Sequence, residues 1–194
     1  MRTPPIQRFG VAKVTPPPGA FLQATPQGEA SLVTAVREAV GSARHVIDLF
    51  AGCGTFSLPL AENAEVHAVE GDVLMTAALD HGWRMAKGLK PVTFEARDLF
   101  RRPLLPDELA KTDAVVLDPP RAGAEAQVAE IVTAMPPVVA YVSCNPVTFA
   151  RDAAVLIAAG YALNWVQVVD QFRWSSHVEL AAQFTAPEVK RKRK

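Results

Sequence analysis

Tyr141-Val-Ser-Cys144-Asn145-Pro146 puts a thiol where an apolar run stops and a proline begins. The run before it (Val138, Val139, Ala140, Val142) has the character of a parallel strand buried on both faces. Pro146 suits the first turn of a helix. Ligands of open α/β sheets bind at the carboxyl ends of the strands, and this spacing sets Cys144 there. A helix N-terminus is expected to favour the thiolate, the nucleophilic form of cysteine. Cys144 is thus a candidate nucleophile; the competing reading is one more small buried hydrophobe. A second apolar run, Val115-Val-Leu117, ends in Asp118-Pro-Pro-Arg121. Two prolines stiffen that turn and hold the Asp118 carboxylate in place. Arg121 can meet a phosphate through two parallel hydrogen bonds, or stand as a surface arginine behind the turn.

Three further strand ends carry polar chemistry. Asp48-Leu-Phe50-Ala-Gly52-Cys-Gly54-Thr55 follows the first apolar run, and two glycines there let a ligand approach the backbone closely. The third glycine of the dinucleotide fingerprint is missing, so the turn argues weakly for NAD. The next run ends in Glu70, where a carboxylate can accept hydrogen bonds from ribose hydroxyls. The run after that is followed by Asp98, placed to bond an adenine amino group. Each acid alone also fits a solvated turn. Together, at successive strand ends, they have the layout of an S-adenosylmethionine site on a class I methyltransferase fold. The Asp-Pro-Pro turn by itself fits transfer to several planar nitrogen or carbon acceptors.

These residues need a scaffold, and the hydrophobic periodicity supplies one. Helical spacing over Gly28–Ala43 is followed by strands and helices in alternation. Strands are expected over 45–50, 65–70, 91–97, 113–118 and 138–144. Helices are expected over 54–61, 73–87, 124–134 and 147–159, with a short one at 107–111. Repeated βα units require a parallel sheet with helices on both faces. Two last strands, 161–170 and 177–184, have no long helix between them and are expected to pair antiparallel at one edge. The fold class is therefore α/β: a Rossmann-like, class I methyltransferase sheet of seven mostly parallel strands. Residues 1–20, with prolines at 4, 5, 16, 17 and 18, read as an extended arm. Residues 21–186 form the S-adenosylmethionine-dependent domain, and 187–194 a basic tail. The chain has 194 residues, 49% hydrophobic and 21% charged, with zero formal net charge, which suits one globular domain. Two cysteines make neither a disulfide framework nor a metal-ligand set. No run nears the roughly 20 apolar residues of a membrane span, and a cytoplasmic location is expected.

Six motifs occur in order: Phe21-x-Gln23, DLFAGCGTF (Asp48 to Phe56), VEG (Val69 to Gly71), LDPPRAG (Leu117 to Gly123), YVSCNP (Tyr141 to Pro146) and HVE (His177 to Glu179). Together they resemble the RNA uracil-carbon-5 methyltransferases, which make 5-methyluridine in tRNA and ribosomal RNA. The resemblance implies Cys144 as nucleophile and Glu179 as base. It also implies cofactor or uracil contacts at Gln23, Phe50, Thr55, Glu70, Asp98 and Asp118, with Gly52 in the cofactor turn. The family often has Asn where Thr55 stands.

The chemistry explains the set. Carbon 5 of uracil is a poor nucleophile until a thiolate adds to carbon 6; a base must later remove the carbon-5 proton so that the thiol can leave. A base inside folded RNA must be flipped out to be reached. Phe21 either stacks on it or packs at the helix start. His177 reads as a partner of the base rather than the base itself. His45, His67 and His81 read as structural, and Cys53 as a small residue of the cofactor turn. The tail Lys190 to Lys194 either adds phosphate contacts or is a solvated terminus. Relatives in the family usually carry an RNA-binding barrel, and many carry a four-cysteine iron–sulfur site. This sequence shows neither, so it reads as the catalytic domain alone, with RNA as partner and S-adenosylmethionine as cofactor. Two alternatives stay open: methyl transfer to a base nitrogen through Asp118-Pro-Pro, and a remnant that binds cofactor or RNA without turnover.

Overall fold

The computed structural model describes residues 5–172 and 174–187. The tail Lys190 to Lys194 and Pro4 lie outside them. The chain runs β1 (Gln7–Phe9), β2 (Ala12–Val14), α1 (Pro26–Val40), β3 (His45–Leu49), α2 (Ser57–Leu60), β4 (Glu65–Glu70), α3 (Val73–Met85) and β5 (Val92–Ala96). It continues α4 (Pro106–Leu109), β6 (Ala114–Leu117), α5 (Glu125–Ala134), β7 (Val138–Ser143), α6 (Pro146–Ala158), β8 (Ala162–Val169) and β9 (Glu179–Thr185).

Side chains alternate across a strand, and in the central strands both faces are apolar. Val46, Ala114, Val116, Ala140 and Val142 join Leu32 and Val36 of α1 and Leu79 of α3 in one cluster. Ile47, Leu49, Val115, Leu117, Val139 and Tyr141 join Val128 and Ile131 of α5 and Phe149 and Leu156 of α6 in the other. The sheet therefore has a core on each face, as its unbroken apolar runs require. Each fully buried Leu, Ile or Phe in these layers contributes about 1.5–3 kcal/mol.

The strand order is β5-β4-β3-β6-β7-β9-β8, with β3 to β7 parallel to one another. The expected antiparallel pair stands at one end of the sheet, but β9 takes the inner place. It runs antiparallel to β7 on one side and to β8 on the other, so β8 forms the edge. Two expectations differ from the structure. Residues 7–14 are not an extended arm but a hairpin turning at Gly10, whose φ is 56°. Phe9, Ala12 and Val14 point into the core, and Val14 packs so close to Gly82 that a Cβ there would overlap it. The helix after β3 is a single turn, because the glycine loop occupies most of the span.

Helix starts are fixed locally. Thr25 caps α1 by accepting from the Gly28 N–H at 3.0 Å, with Pro26 in the first turn. Asp72 caps α3, and Asn145 caps α6 by accepting from the Val147 N–H at 3.1 Å. Among the described residues no helix is long and apolar enough to cross a membrane, and no group of three or more His, Cys, Asp or Glu side chains could hold a metal ion.

Candidate active site

One cleft of about 600 Å³ opens along the carboxyl edge of the parallel strands. It is lined by every residue singled out above: Phe21, Gln23, Phe50, Gly52, Thr55, Glu70, Asp98, Asp118, Arg121, Cys144 and Glu179. The strand order spreads them along the edge. Asp98 follows β5, Glu70 ends β4, Phe50 to Thr55 follow β3, Asp118 follows β6, Cys144 follows β7, and Glu179 opens β9.

The glycine loop is shaped by backbone conformation. Gly52 and Gly54 have φ of 56° and 98°, and even Phe50, with a side chain, is held at 62°. A Cβ on Gly52 would meet nothing within 4 Å, so the loop is open above it; one on Gly54 would run into Leu58 and Leu79. Glu70 straps this loop down. Its carboxylate accepts from the Gly52 N–H and the Asp72 N–H, both at 2.9 Å. Each oxygen keeps a second lone pair that can face a ligand. Phe50 and Phe100 pack with ring centroids 5.5 Å apart, beside Asp98. Asp98 is exposed and accepts from the Phe100 N–H at 3.0 Å. Beneath the loop the wholly buried Asp48 accepts from the Ser57 hydroxyl, while its other oxygen has no partner. Burial raises that carboxyl to about 7, against the lowering hydrogen bonds from Ser57. Cys53, also buried, is pushed up to about 11 by burial and by Glu70 and Asp72, which suits a packing role.

At the other end of the cleft β7 and β9 bring two sequence-distant residues together. Their pairing runs from Val138↔Thr185 to Ser143↔Leu180. The ladder ends there; Cys144, in the bend just after β7, and Glu179, the first residue of β9, line the same cleft, close enough for Glu179 to act on the thiol. Glu179 is 2% exposed, and burial raises its carboxyl to about 7, against the lowering effect of Arg121. Asp118 is pushed well above the carboxylate range by burial, and further by Glu179, Asp48 and Glu70. Cys144 differs from the expectation of a favoured thiolate. Its thiol is raised, first by burial, then by Glu179 and Asp118; Arg121 lowers it. Burial, with the two acids behind it, outweighs the partial charge of one helix end.

Residues outside the candidate set hold the two reactive loops together. Asn145, besides capping α6, donates from Nδ2 to the Arg121 carbonyl at 2.9 Å; Thr148 Oγ1 donates to the same carbonyl at 3.1 Å. Buried Asp152 accepts from the Tyr141 hydroxyl at 2.6 Å, from the Ala124 N–H at 2.7 Å and from Arg151 Nε at 2.8 Å. Both networks join the Asp118 turn to the Cys144 turn. Asn145 before a proline was a readable capping signal; nothing in the sequence pointed to Asp152. His177 is exposed, with Nδ1 3.3 Å from an Arg121 guanidinium nitrogen.

Comparison with known proteins adds to this geometry. Residues 93–185 match the family model described as tRNA (Uracil-5-)-methyltransferase. The chain is 52% identical over 181 residues to an uncharacterized RNA methyltransferase of Brucella suis, covering 93% of this chain and 44% of the relative. It is 42% identical over 156 residues to a 23S rRNA (uracil(1939)-C(5))-methyltransferase of Halomonas elongata, covering 79% of this chain and 32% of that protein. The chain thus spans less than half the length of these curated relatives. The crystal structure of Pyrococcus abyssi tRNA (uracil-54, C5)-methyltransferase in complex with S-adenosyl-L-homocysteine superposes with a TM-score of 0.80 at 27% identity, over 93% of this chain and 44% of that one.

Proposed function

We propose, from the match of residues 93–185 to the tRNA (Uracil-5-)-methyltransferase model, that the chain is a member of that family and methylates carbon 5 of a uridine in RNA. S-adenosylmethionine is the methyl donor, and the reaction passes through a covalent bond between Cys144 and carbon 6. The observation that carries this reading is the pairing of β7 with β9, which brings a cysteine just after one strand and a buried carboxyl at the start of the other into one cleft.

The cleft fits the cofactor. The open Gly52 loop, the Glu70 carboxylate and the Phe50–Phe100 wall suit a nucleoside, with ribose at Glu70 and adenine at Asp98 and Phe100. Bound there, S-adenosylmethionine supplies an electrophilic methyl group and a positive charge. The chain's own residues do the rest. Cys144 Sγ, after losing its proton to solvent, adds as the thiolate to carbon 6 and leaves electron density on carbon 5, which then takes the methyl group. The Glu179 carboxylate removes the carbon-5 proton, the electron pair returns to form the 5,6 double bond, and the carbon–sulfur bond breaks. A carboxyl near 7 is well matched to a proton transfer at neutral pH. Asp118, whose carboxyl burial pushes well above the ordinary range, lines the cleft where the uracil would lie. Phe21, 66% exposed at the cleft, is free to stack on the extruded base.

Transfer to a ring nitrogen needs no thiol, and a cysteine beside Glu179 in the cleft counts against it. The test is mass spectrometry of nucleosides from methyl-deficient RNA incubated with the chain and S-adenosylmethionine. The expected product is 5-methyluridine, absent with Cys144→Ala. A methylated adenosine, guanosine or cytidine would refute the proposal.

A further inference from the structure

We infer that Gln171 is a positioning residue: it fixes which end of the Gln23 amide faces the cleft, so that Gln23 presents N–H donors to the amino-acid carboxylate of the cofactor. This rests on the cofactor reading above. The two glutamines meet from distant parts of the chain, Gln23 in the segment before α1 and Gln171 just after β8.

An amide side chain can be turned over, so its polarity must be set by a partner that cannot. Here that partner is a backbone N–H. The Thr25 N–H donates at 3.2 Å to Gln171 Oε1, which makes this end of the Gln171 amide the acceptor. Its other end, Nε2, is then a donor, and it reaches Gln23 Oε1 at 2.8 Å. The Gln23 oxygen is thereby committed to Gln171, and the Gln23 Nε2 group is what remains for the cleft that Gln23 lines. A pair of N–H donors selects an acceptor. With the nucleoside assigned to Glu70, Asp98 and Phe100, and the reacting base to Cys144 and Glu179, the acceptor left over is the carboxylate of the amino-acid part.

Packing supports the same assignment. Gln171 is 7% exposed, and its amide lies over Gly28 in the first turn of α1. A Cβ at Gly28 would overlap the Gln171 Oε1, Cδ and Cγ atoms, so glycine at this position makes room for the amide. The helix start, the Thr25 N–H and the two glutamines form one unit, which holds Gln23 from the loop that leads into Glu179.

The test uses the 194-residue chain, titrated calorimetrically with S-adenosylhomocysteine and with methylthioadenosine, which keeps the nucleoside and sulfur but lacks the amino-acid part. In Gln171→Glu both side-chain oxygens accept, so Gln23 must turn its own N–H toward residue 171 and show its oxygen to the cleft. S-adenosylhomocysteine affinity is expected to fall about tenfold, the worth of one charge-assisted hydrogen bond. Methylthioadenosine affinity is expected to hold, which also reports an intact fold. Gly28→Ala, by displacing the Gln171 amide, is expected to give the same selective loss. In a Gln23→Ala background Gln171→Glu should cost nothing further. Equal losses for both ligands would make Gln171 a structural residue and overturn the inference. A loss that persists without Gln23 would assign the effect to plain charge repulsion and overturn it too. A wild-type chain that binds neither ligand would sink the cofactor reading itself, and this inference with it.

Discussion

Glu179→Gln should make the protein more stable and less able to finish its reaction. Glu179 is 2% exposed, and its carboxyl stands at about 7 instead of the ordinary 4.5. At about 1.36 kcal/mol per pH unit, that difference is worth about 3 kcal/mol. Its sign is unfavourable to the fold. The folded state holds the proton more tightly than the unfolded state, so stability falls as pH rises from 4.5 to 7 and stays low above. Glutamine is neutral throughout and avoids this cost. Urea denaturation at pH 8 should therefore find Glu179→Gln more stable by about 1–3 kcal/mol, the lower figure allowing for relaxation around the site. At pH 4.5, where wild-type Glu179 is also neutral, the gap should close. The same variant still has Cys144, so it should add to carbon 6 and accept the methyl group, then stall before elimination. On a denaturing gel a protein–RNA adduct should accumulate. In the wild type the elimination rate should rise about tenfold from pH 6 to pH 8, following ionisation of a group near 7. A stability gap that ignores pH would refute burial as the cause of the raised carboxyl. Turnover like wild type with no adduct would remove Glu179 from the role of base.

Cys144→Ala should abolish both turnover and adduct yet keep S-adenosylhomocysteine affinity within about threefold, because the thiol sits at the far end of the cleft from Glu70; calorimetry and the same gel separate the two effects. Glu70→Ala should weaken S-adenosylhomocysteine binding by about 1–3 kcal/mol, since it removes a ligand acceptor and also frees the Gly52 and Asp72 N–H groups; unchanged affinity would move the ribose elsewhere. Asp152→Ala should cost about 2–4 kcal/mol in urea denaturation, because the Tyr141 hydroxyl and the Ala124 N–H lose a buried acceptor together.

The central sheet was legible because strands buried on both faces read as short unbroken apolar runs, and the polar residues that end them could only fall at one edge. That is why Glu70, Asp118 and Cys144, spread over the sequence, line a single cleft. The hairpin at 7–14 was hidden by three-residue strands among prolines, although Phe9, Ala12 and Val14 around Gly10 were an available signal. The inner place of β9 was not legible, since nothing local distinguishes pairing with β7 from pairing with β8 alone. The thiolate expectation at Cys144 failed for a related reason. A helix end is visible in sequence, whereas Glu179 and Asp118 reach the thiol only through the sheet. Gln171 escaped notice because the residues it bonds, Gln23 and Thr25, lie at the other end of the sequence.

The inner position of β9 also constrains how the sheet can close. β9 is the last strand of the sheet in sequence, yet it must enter between β7 and β8, and its Gln183 reaches back to the Ala39 carbonyl at the end of α1. The earlier strands have long-range partners of their own, such as the Asp113 contact with His45 across 68 residues. Such non-local pairings close slowly compared with helices and hairpins. A chain emerging from the ribosome has β3, β4 and β5 in hand to pair well before the residues of β9 have been made. Until β9 arrives, β7 has a bare edge, and Cys144 sits beside it without the carboxyl that raises its thiol. The entry of β9, the last strand of the sheet in sequence, is thus the step that brings Glu179 into the cleft with Cys144.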